Sequence, residues 1–189
     1  MKLNNKYYLL RHGEAVSNVK RVYSSWPEKF KNPLTKKGRL MIKESTERLK
    51  DKDINLIFAS DLLRTKQTAD IVEKKLGIKP LFNKRLREIS FGIFNGKPGI
   101  LWRNYFSTKE EKVINKAAPK GESYKDVLKR VFDFLKDIDK KYHKKTILLV
   151  SHQCQLSLLE WKVKGISILE GIRKFRGKKI KTGEIRELN

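Results

Sequence analysis

The chain has 189 residues, which favours one domain with a core large enough to need no disulfide staples. Hydrophobic residues make up 39% and charged residues 35%, a balance typical of a soluble globular protein, and no apolar run approaches the roughly 20 residues needed to cross a bilayer. The net charge of +24 comes from lysines and arginines spread along the whole chain, so we expect no nucleic-acid partner, although the field should draw small anions inward.

The few cysteine and histidine residues limit the redox and metal chemistry of the chain. Its single cysteine, Cys154, excludes an internal disulfide and indicates a reducing cytoplasm, and the N-terminus runs into the first predicted strand without room for a signal peptide. With three histidines and that one cysteine, no zinc site of the usual spacing is expected. We therefore expect a cytoplasmic protein without a metal or a membrane partner, and a homodimer is left open.

The first predicted strand carries the residues around which the chain is organised. Residues 7–10 are four consecutive apolar side chains without helical spacing, which predicts a buried strand. Arg11 and His12 end this strand, and Gly13 lets the backbone turn. Ligands of open α/β sheets gather at the carboxyl ends of the strands, so this placement favours an active site over two residues that merely close a strand.

A long loop, two helices and a strand follow in the first half of the chain. The predicted elements are a loop over 13–35, a helix over 36–50, a strand over 54–60 and a helix over 62–76. The apolar face of the first helix is expected from Leu40, Ile42 or Met41, and Leu49. Loops as long as the first one are usually functional in a compact domain.

The second half repeats the alternation of strands and helices. Pro80 places the third strand near a sheet edge, and residues 100–118 predict one or two short helices. The other predicted elements are strands over 78–85, 146–151 and 182–188, a loop over 86–99, and helices over 124–142 and 153–164. This alternation predicts a three-layer α/β/α sandwich with a mostly parallel central sheet, as a single domain over 1–189.

Polar side chains stand where three of the predicted strands end. The first strand delivers Arg11 and His12, the second is followed by Arg64 one turn into its helix, and the most apolar strand ends at His152. Two arginines and two histidines at one sheet edge would form a pocket for a doubly charged tetrahedral anion, since a guanidinium can bond two phosphate oxygens at once.

The chain resembles the histidine phosphatase superfamily, which includes cofactor-dependent phosphoglycerate mutases and many small phosphatases. The resemblance covers residues 7–160 and rests on the joint order of several blocks, each weak alone. The blocks are Leu10-Arg11-His12-Gly13-Glu14 with Asn18, Pro33-Leu34-Thr35 with Gly38, the stretch from Ser60 to Ala69, Leu86-Arg87-Glu88 with Phe91-Gly92 and Asn95-Gly96, Gly121-Glu122-Ser123 with Arg130, and Val150-Ser151-His152.

The resemblance implies a role for each matching residue. His12 would attack phosphorus and become a phosphohistidine, and Glu88 would protonate the departing alcohol and later deprotonate water. The side chains of Arg11, Arg64 and His152 would hold the phosphoryl oxygens, so neither a metal nor another cofactor is implied.

Some assignments stay open at this point. Glu14 or Glu122 could replace Glu88 as the acid. Substrate-binding positions of mutases match Asn18, Ser24 and Ser25, which could instead be plain loop residues. Two departures from the family pattern are Gln153, where glycine is usual after the histidine, and a short covering segment at about 97–120.

The resulting functional hypothesis is a metal-independent phosphatase that hydrolyses small phosphate monoesters through phosphorylated His12. The first alternative is a cofactor-dependent phosphoglycerate mutase, which the short covering segment disfavours. The second is a basic nucleic-acid-binding module on a phosphatase scaffold, motivated by the net charge of +24 and by Gln153.

Overall fold

The computed structural model describes residues 2–106, 114–174 and 179–189. Its centre is a five-stranded sheet in the order β3-β2-β4-β1-β5. The first four strands in the chain run parallel, and β5 pairs antiparallel with β1. The strands are β1 Lys6–Arg11, β2 Leu56–Ala59, β3 Pro80–Phe82, β4 Thr146–Ser151 and β5 Ile185–Glu187.

Helices cover both faces of this sheet, as the strand pattern requires. In β1, Tyr7 and Leu9 pack into one apolar cluster with helices α5 and α6, while Tyr8 and Leu10 pack into the opposite cluster with α2 and α3. Both faces of the strand are therefore buried, which explains its continuous apolar run. The helices are α1 Val16–Lys20, α2 Lys36–Glu47, α3 Leu63–Leu76, α4 Gly99–Tyr105, α5 Tyr124–Lys141, α6 Gln153–Val163 and α7 Ile168–Lys174.

This architecture confirms the predicted three-layer α/β/α fold with a mostly parallel sheet. The predicted strand over 146–151 matches β4, and the proline-containing strand does lie at an edge of the sheet. Within the described ranges, no helix is long and apolar enough to span a bilayer.

Several local predictions were wrong in instructive ways. The loop over 13–35 contains the short helix α1, and α7 had no counterpart among the predicted elements. The helix predicted over 36–50 corresponds to α2, which ends at Glu47, and a separate 3₁₀ turn follows at Lys50–Lys52. Leu40 is 59% exposed and lies off the apolar face, because Ile42 is the position directed at the sheet.

The covering segment begins with α4, which buries Trp102 against Tyr23 and Phe91. The chain ahead of it is held to the end of α1 by a β-bridge between Val22 and Pro98. Of the predicted short helices over 100–118, one is seen as α4, and the part at 107–113 lies outside the described residues.

Candidate active site

The histidines of the two central strands meet at the carboxyl edge of the sheet. Parallel pairing sets Arg11 of β1 opposite Ser151 of β4, so the residues that follow these two are neighbours. The ring centroids of His12 and His152 lie 5.2 Å apart. Arg64, in the first turn of α3, donates from Nε to Nε2 of His12 at 3.2 Å. The structure thus brings the four predicted phosphate-site residues together.

His12 is held as a neutral imidazole with one nitrogen directed at the site. Its side chain is 2% exposed, and its Nδ1 lies 2.7 Å from the carbonyl oxygen of Gly13. A carbonyl can only accept, so Nδ1 carries the proton and Nε2 keeps its lone pair. Burial, and then the charges of Arg64 and Arg11, lower the pKa of His12 well below its ordinary value. His12 therefore has the protonation state of a nucleophile.

The Arg64 guanidinium is buried and only partly hydrogen-bonded. Its Nη2 donates to the carbonyl of Ser24 at 3.0 Å, while Nη1 has no hydrogen-bond partner and lies 3.5 Å from a carboxylate oxygen of Glu28. Burial lowers the pKa of Arg64 to about 10, so the group stays charged at neutral pH. A buried cation with an unused donor is suited to an anionic ligand.

The guanidinium of Arg11 is likewise only partly hydrogen-bonded, and Gln153 is one of its partners. Arg11 Nη1 donates to Gln153 Oε1 at 3.2 Å and to the carbonyl of Ile180 at 2.8 Å, while its Nε is buried without a partner. Gln153, where the family pattern has glycine, therefore orients a guanidinium. A glutamine at this position is compatible with an anion site because its side-chain oxygen accepts from Arg11.

His152 completes the set of incompletely bonded polar groups. Its Nε2 lies 2.9 Å from the hydroxyl of Ser60, and its Nδ1 is buried without a partner. Burial, followed by the charge of Arg64, lowers the pKa of His152 well below its ordinary value. The buried atoms at this end that lack a hydrogen-bond partner are Arg11 Nε, Arg64 Nη1, His152 Nδ1 and Ser24 Oγ.

Glu88 is the one acidic side chain that lines this cavity among the described residues. Its Oε1 accepts from the backbone N–H of Ile89 at 2.9 Å. Burial raises the pKa of Glu88 above its ordinary value, against the opposing charges of Arg64 and Arg11. The raised pKa favours a protonated carboxyl group, which is the form a proton donor needs.

The two alternative acids have other partners. Glu14 accepts from the hydroxyl of Thr35 at 2.8 Å and does not line the cavity. Glu122 pairs with Arg130, its Oε1 lying 2.7 Å from Arg130 Nε, and its Oε2 accepts from Ser90 N–H at 2.8 Å. This placement favours Glu88 as the acid.

The ion pair of Arg130 and Glu122, which we call the brace, supports the Glu88 loop, residues 87–91. Arg130 donates to the carbonyl oxygens of Arg85, at 2.6 Å, and of Glu88, at 3.3 Å. The indole N–H of Trp26 donates to that same Glu88 carbonyl at 3.1 Å. The sequence quoted Arg130 only as part of a motif. Glu122 lies ahead of the N-cap of α5 and Arg130 lies within the helix, so no helical spacing signalled this pairing.

The three predicted substrate-binding residues do not share one environment. Asn18 and Ser24 line the cavity, and Asn18 also caps a turn by accepting from Ala15 N–H at 2.9 Å. Ser25 is fully buried, and its hydroxyl accepts from Phe91 N–H at 3.2 Å. Ser25 does not line the cavity, which favours a structural role for it.

The cavity extends well beyond the phosphate end, to a volume of about 620 Å³. Its walls include Tyr23, Trp102 and Arg103, none of which was selected from the sequence because no motif marks them. Cys154, expected in the core, lines this cavity half-buried, and burial raises the pKa of its thiol well above the ordinary value. No cluster of three or more His, Cys, Asp and Glu side chains suited to a metal occurs in the described ranges.

Comparison with known proteins decides the family. Residues 7–183 match the histidine phosphatase superfamily (branch 1). The chain belongs to this superfamily. The predicted resemblance is thereby confirmed, and a histidine phosphatase fold explains why the two histidines sit at the ends of neighbouring central strands.

Individual members of the superfamily that resemble this chain carry both phosphatase and mutase names. The chain is 31% identical to the probable phosphoglycerate mutase GpmB of Escherichia coli O1:K1 over 84% of its own length and 74% of that protein's. It is 29% identical to Bacillus stearothermophilus YhfR, with a TM-score of 0.76, covering 87% of this chain and 82% of that one. The α-ribazole phosphatase of Shigella flexneri is 26% identical, with a TM-score of 0.79, covering 95% and 88% of the two chains.

Proposed function

We propose that this histidine phosphatase superfamily member is a metal-independent phosphatase that hydrolyses phosphate monoesters through phosphorylated His12. The observation that carries the proposal is the state of His12. Its Nδ1–H donates to the Gly13 carbonyl, its Nε2 accepts from Arg64 Nε, and the neighbouring side chains of Arg11, Arg64 and His152 each hold a buried nitrogen without a hydrogen-bond partner. Neutral imidazole is a good nucleophile toward phosphorus, and unsatisfied buried donors favour an anion beside it.

The first step transfers the phosphoryl group to the enzyme. The Nε2 lone pair of His12 forms a bond to phosphorus while the bond from phosphorus to the ester oxygen breaks. Glu88 gives its proton to that oxygen, which leaves as a neutral alcohol. No described residue hydrogen-bonds Glu88 Oε2, so this oxygen can hold the proton that is transferred.

The second step restores the enzyme. Glu88, now a carboxylate, takes a proton from water as the water oxygen attacks phosphorus, and the bond from phosphorus to Nε2 breaks. Inorganic phosphate leaves, and His12 and Glu88 return to their starting states. Through both steps Arg11, Arg64 and His152 bind the phosphoryl oxygens, over which charge is spread in the transition state.

A phosphoglycerate mutase is the second candidate, favoured by the 31% identity to GpmB. A mutase must keep water from the phosphohistidine until a second hydroxyl takes the group. The α-ribazole phosphatase likeness and the short covering segment support hydrolysis instead.

We infer a small phosphorylated substrate and a cytoplasmic location, the latter from the single cysteine.

The proposal is tested with p-nitrophenyl phosphate in the presence of EDTA. We expect full activity with the chelator and a loss of about 10⁴-fold or more in His12→Ala, the scale on which removal of a covalent nucleophile lowers kcat elsewhere. His143→Ala, at an exposed position, is the matched control and should retain activity. Activity that disappears with EDTA, or that survives His12→Ala, would refute the mechanism. Isomerisation of 3-phosphoglycerate faster than phosphate release, with 2,3-bisphosphoglycerate present, would favour the mutase.

A further inference from the structure

The cavity is much larger than a phosphoryl group requires. Arg11, His12 and Arg64 lie at one end of its 620 Å³, a volume in the range that holds a whole small organic molecule. The part that a phosphoryl group leaves open must therefore accommodate the rest of the ester. The residues that line this part indicate the chemistry of the alcohol portion of the substrate.

The wall nearest this open part is aromatic and fixed in place. The ring of Tyr23 stacks on Phe91 with centroids 4.1 Å apart, and Trp102 meets both rings edge-on at 5.5 and 5.6 Å. Trp161 and Ile172 add further apolar surface to the lining. A flat apolar body gains more from such a wall than a small polyol does, since aromatic rings favour stacked or edge contacts with other rings.

Three of the cations that line the cavity are exposed to solvent, and we call them the rim cations. They are Arg21, Arg103 and Lys179, and none of them has an ion-pair partner in the part of the chain that the structure describes. Arg103 directly follows Trp102 of the aromatic wall on α4, and both residues line the cavity. Acidic side chains elsewhere on the surface do form ion pairs, for example Glu47 with Lys50 and Lys75. The rim cations have no ion-pair partner among the described residues, so they offer the charge that a ligand's acid group would complement.

From these three observations we infer that the substrate is a phosphate monoester of an aromatic body that carries a second negative group, bound by the rim cations with Arg103 foremost. The phosphoryl group lies against Arg11, Arg64 and His12, the ring lies against Tyr23 and Trp102, and the second acid faces Arg103. The inference rests on the proposed phosphatase activity, because it takes the end that holds His12 as the site of the phosphoryl group.

Phosphonates test this assignment without the complication of turnover, since their carbon–phosphorus bond is not a substrate for hydrolysis. The probe is (4-carboxybenzyl)phosphonate. Benzylphosphonate lacks the acid, and 3-phosphonopropionate lacks the ring. Dissociation constants come from isothermal titration calorimetry at low salt, where exposed ion pairs are strongest. We expect the probe to bind about 10-fold more tightly than benzylphosphonate, the scale of one charge-assisted hydrogen bond, and about 10-fold more tightly than 3-phosphonopropionate, the scale of one aromatic contact.

Substitutions at the rim locate the acid group. Arg103→Gln should weaken binding of the probe about 3- to 10-fold relative to benzylphosphonate, the lower figure reflecting solvent exposure. Lys140→Gln removes an equal charge from an exposed position on α5 outside the cavity lining, and it should leave the ratio of the two affinities unchanged. Arg21→Gln provides a second variant at the rim, and circular dichroism shows whether each variant is folded.

The outcomes separate this inference from the proposed function. Equal affinity for the probe and benzylphosphonate, or equal effects of Arg103→Gln, Arg21→Gln and Lys140→Gln, would overturn the assignment of a second acid while leaving phosphatase activity intact. Equal affinity for the probe and 3-phosphonopropionate would overturn the aromatic body. A protein that binds the probe as expected but does not hydrolyse p-nitrophenyl phosphate would refute the proposed function instead.

Discussion

The ends of the central strands and the Glu88 loop both serve one site, yet they are built differently. His12 and His152 follow β1 and β4, whose six-residue parallel ladder fixes their separation. Glu88 lies between two 3₁₀ turns, Lys84–Leu86 and Gly92–Phe94, with no strand beneath it. Its position depends on side chains from distant parts of the chain, Trp26 and Arg130.

Burial shifts the pKa of the histidine in the first region and the pKa of the glutamate in the second region in opposite directions. It lowers the pKa of His12 and raises that of Glu88, so each shift is toward the neutral form of the group. A neutral imidazole can attack and a neutral carboxyl group can donate, which is what the proposed first step requires. Substitutions should nevertheless displace the catalytic groups of the two regions to different extents. The backbone hydrogen bonds between β1 and β4 resist a local change better than a loop that a few side-chain hydrogen bonds hold in place.

Glu88→Gln is expected to have the largest effect in the loop region. It keeps the size of the side chain but removes its titratable proton, so phosphorylation of His12 by an alkyl phosphate should slow by about 10²–10⁴-fold. With p-nitrophenyl phosphate, whose leaving group hardly needs a proton, the loss should be much smaller. Pre-steady-state labelling measures this step apart from the later hydrolysis. Equal losses on both substrates would make Glu88 a structural or orienting residue.

Arg130→Met tests whether the brace positions Glu88. It removes the bonds to the Arg85 and Glu88 carbonyls while keeping a long apolar stem, and a small misplacement of a catalytic group can lower rates by up to about 10²-fold. Pre-steady-state labelling should show a loss of roughly 10- to 100-fold in the rate of His12 phosphorylation by an alkyl phosphate and a smaller loss with p-nitrophenyl phosphate. Lys125→Met, on the exposed face of the same helix, is the control. A uniform loss on both substrates would indicate a role in stability only.

The strand-end region is tested through stability, where the smallest change is expected. The pKa of His152 is lowered in the folded protein, so below pH ~6.5 the unfolded chain takes up a proton that the folded one refuses. Stability therefore falls as the pH falls, by up to about 1.4 kcal/mol per pH unit for each such histidine. His152→Gln should show a shallower decline in the free energy of unfolding by denaturant between pH 7 and pH 5.5, whereas exposed His143→Gln should follow the parent. Parallel slopes for all three proteins would contradict the lowered pKa.

The same contrast explains which parts of the fold and of the site could be predicted from the sequence. Residues 7–10 and 146–151 are continuous apolar runs, so their burial, their parallel pairing and the convergence of the residues that follow them could be predicted. Glu88 has no such local signal among 21 acidic residues and was singled out only by the family pattern around it. Ser25 matched a family position but packs its hydroxyl against Phe91 N–H, which depends on the path of a loop rather than on residue type. The aromatic and basic part of the cavity is formed by several chain segments that are distant in sequence, and it could not be predicted from any one of them.

The position of β1 in the sheet also sets an order of assembly. In the chain β1 precedes both of its neighbours in the sheet, which are β4, at Thr146–Ser151, and β5, at Ile185–Glu187. The Arg11 guanidinium is held by the carbonyl of Ile180, and the N–H of Gly183 donates to the carbonyls of Arg11 and His12. The strand that carries the nucleophile thus has no partner on either side until β4 or β5 pairs with it. Pairings this distant in sequence are slow to form, and the site is complete only after they have formed.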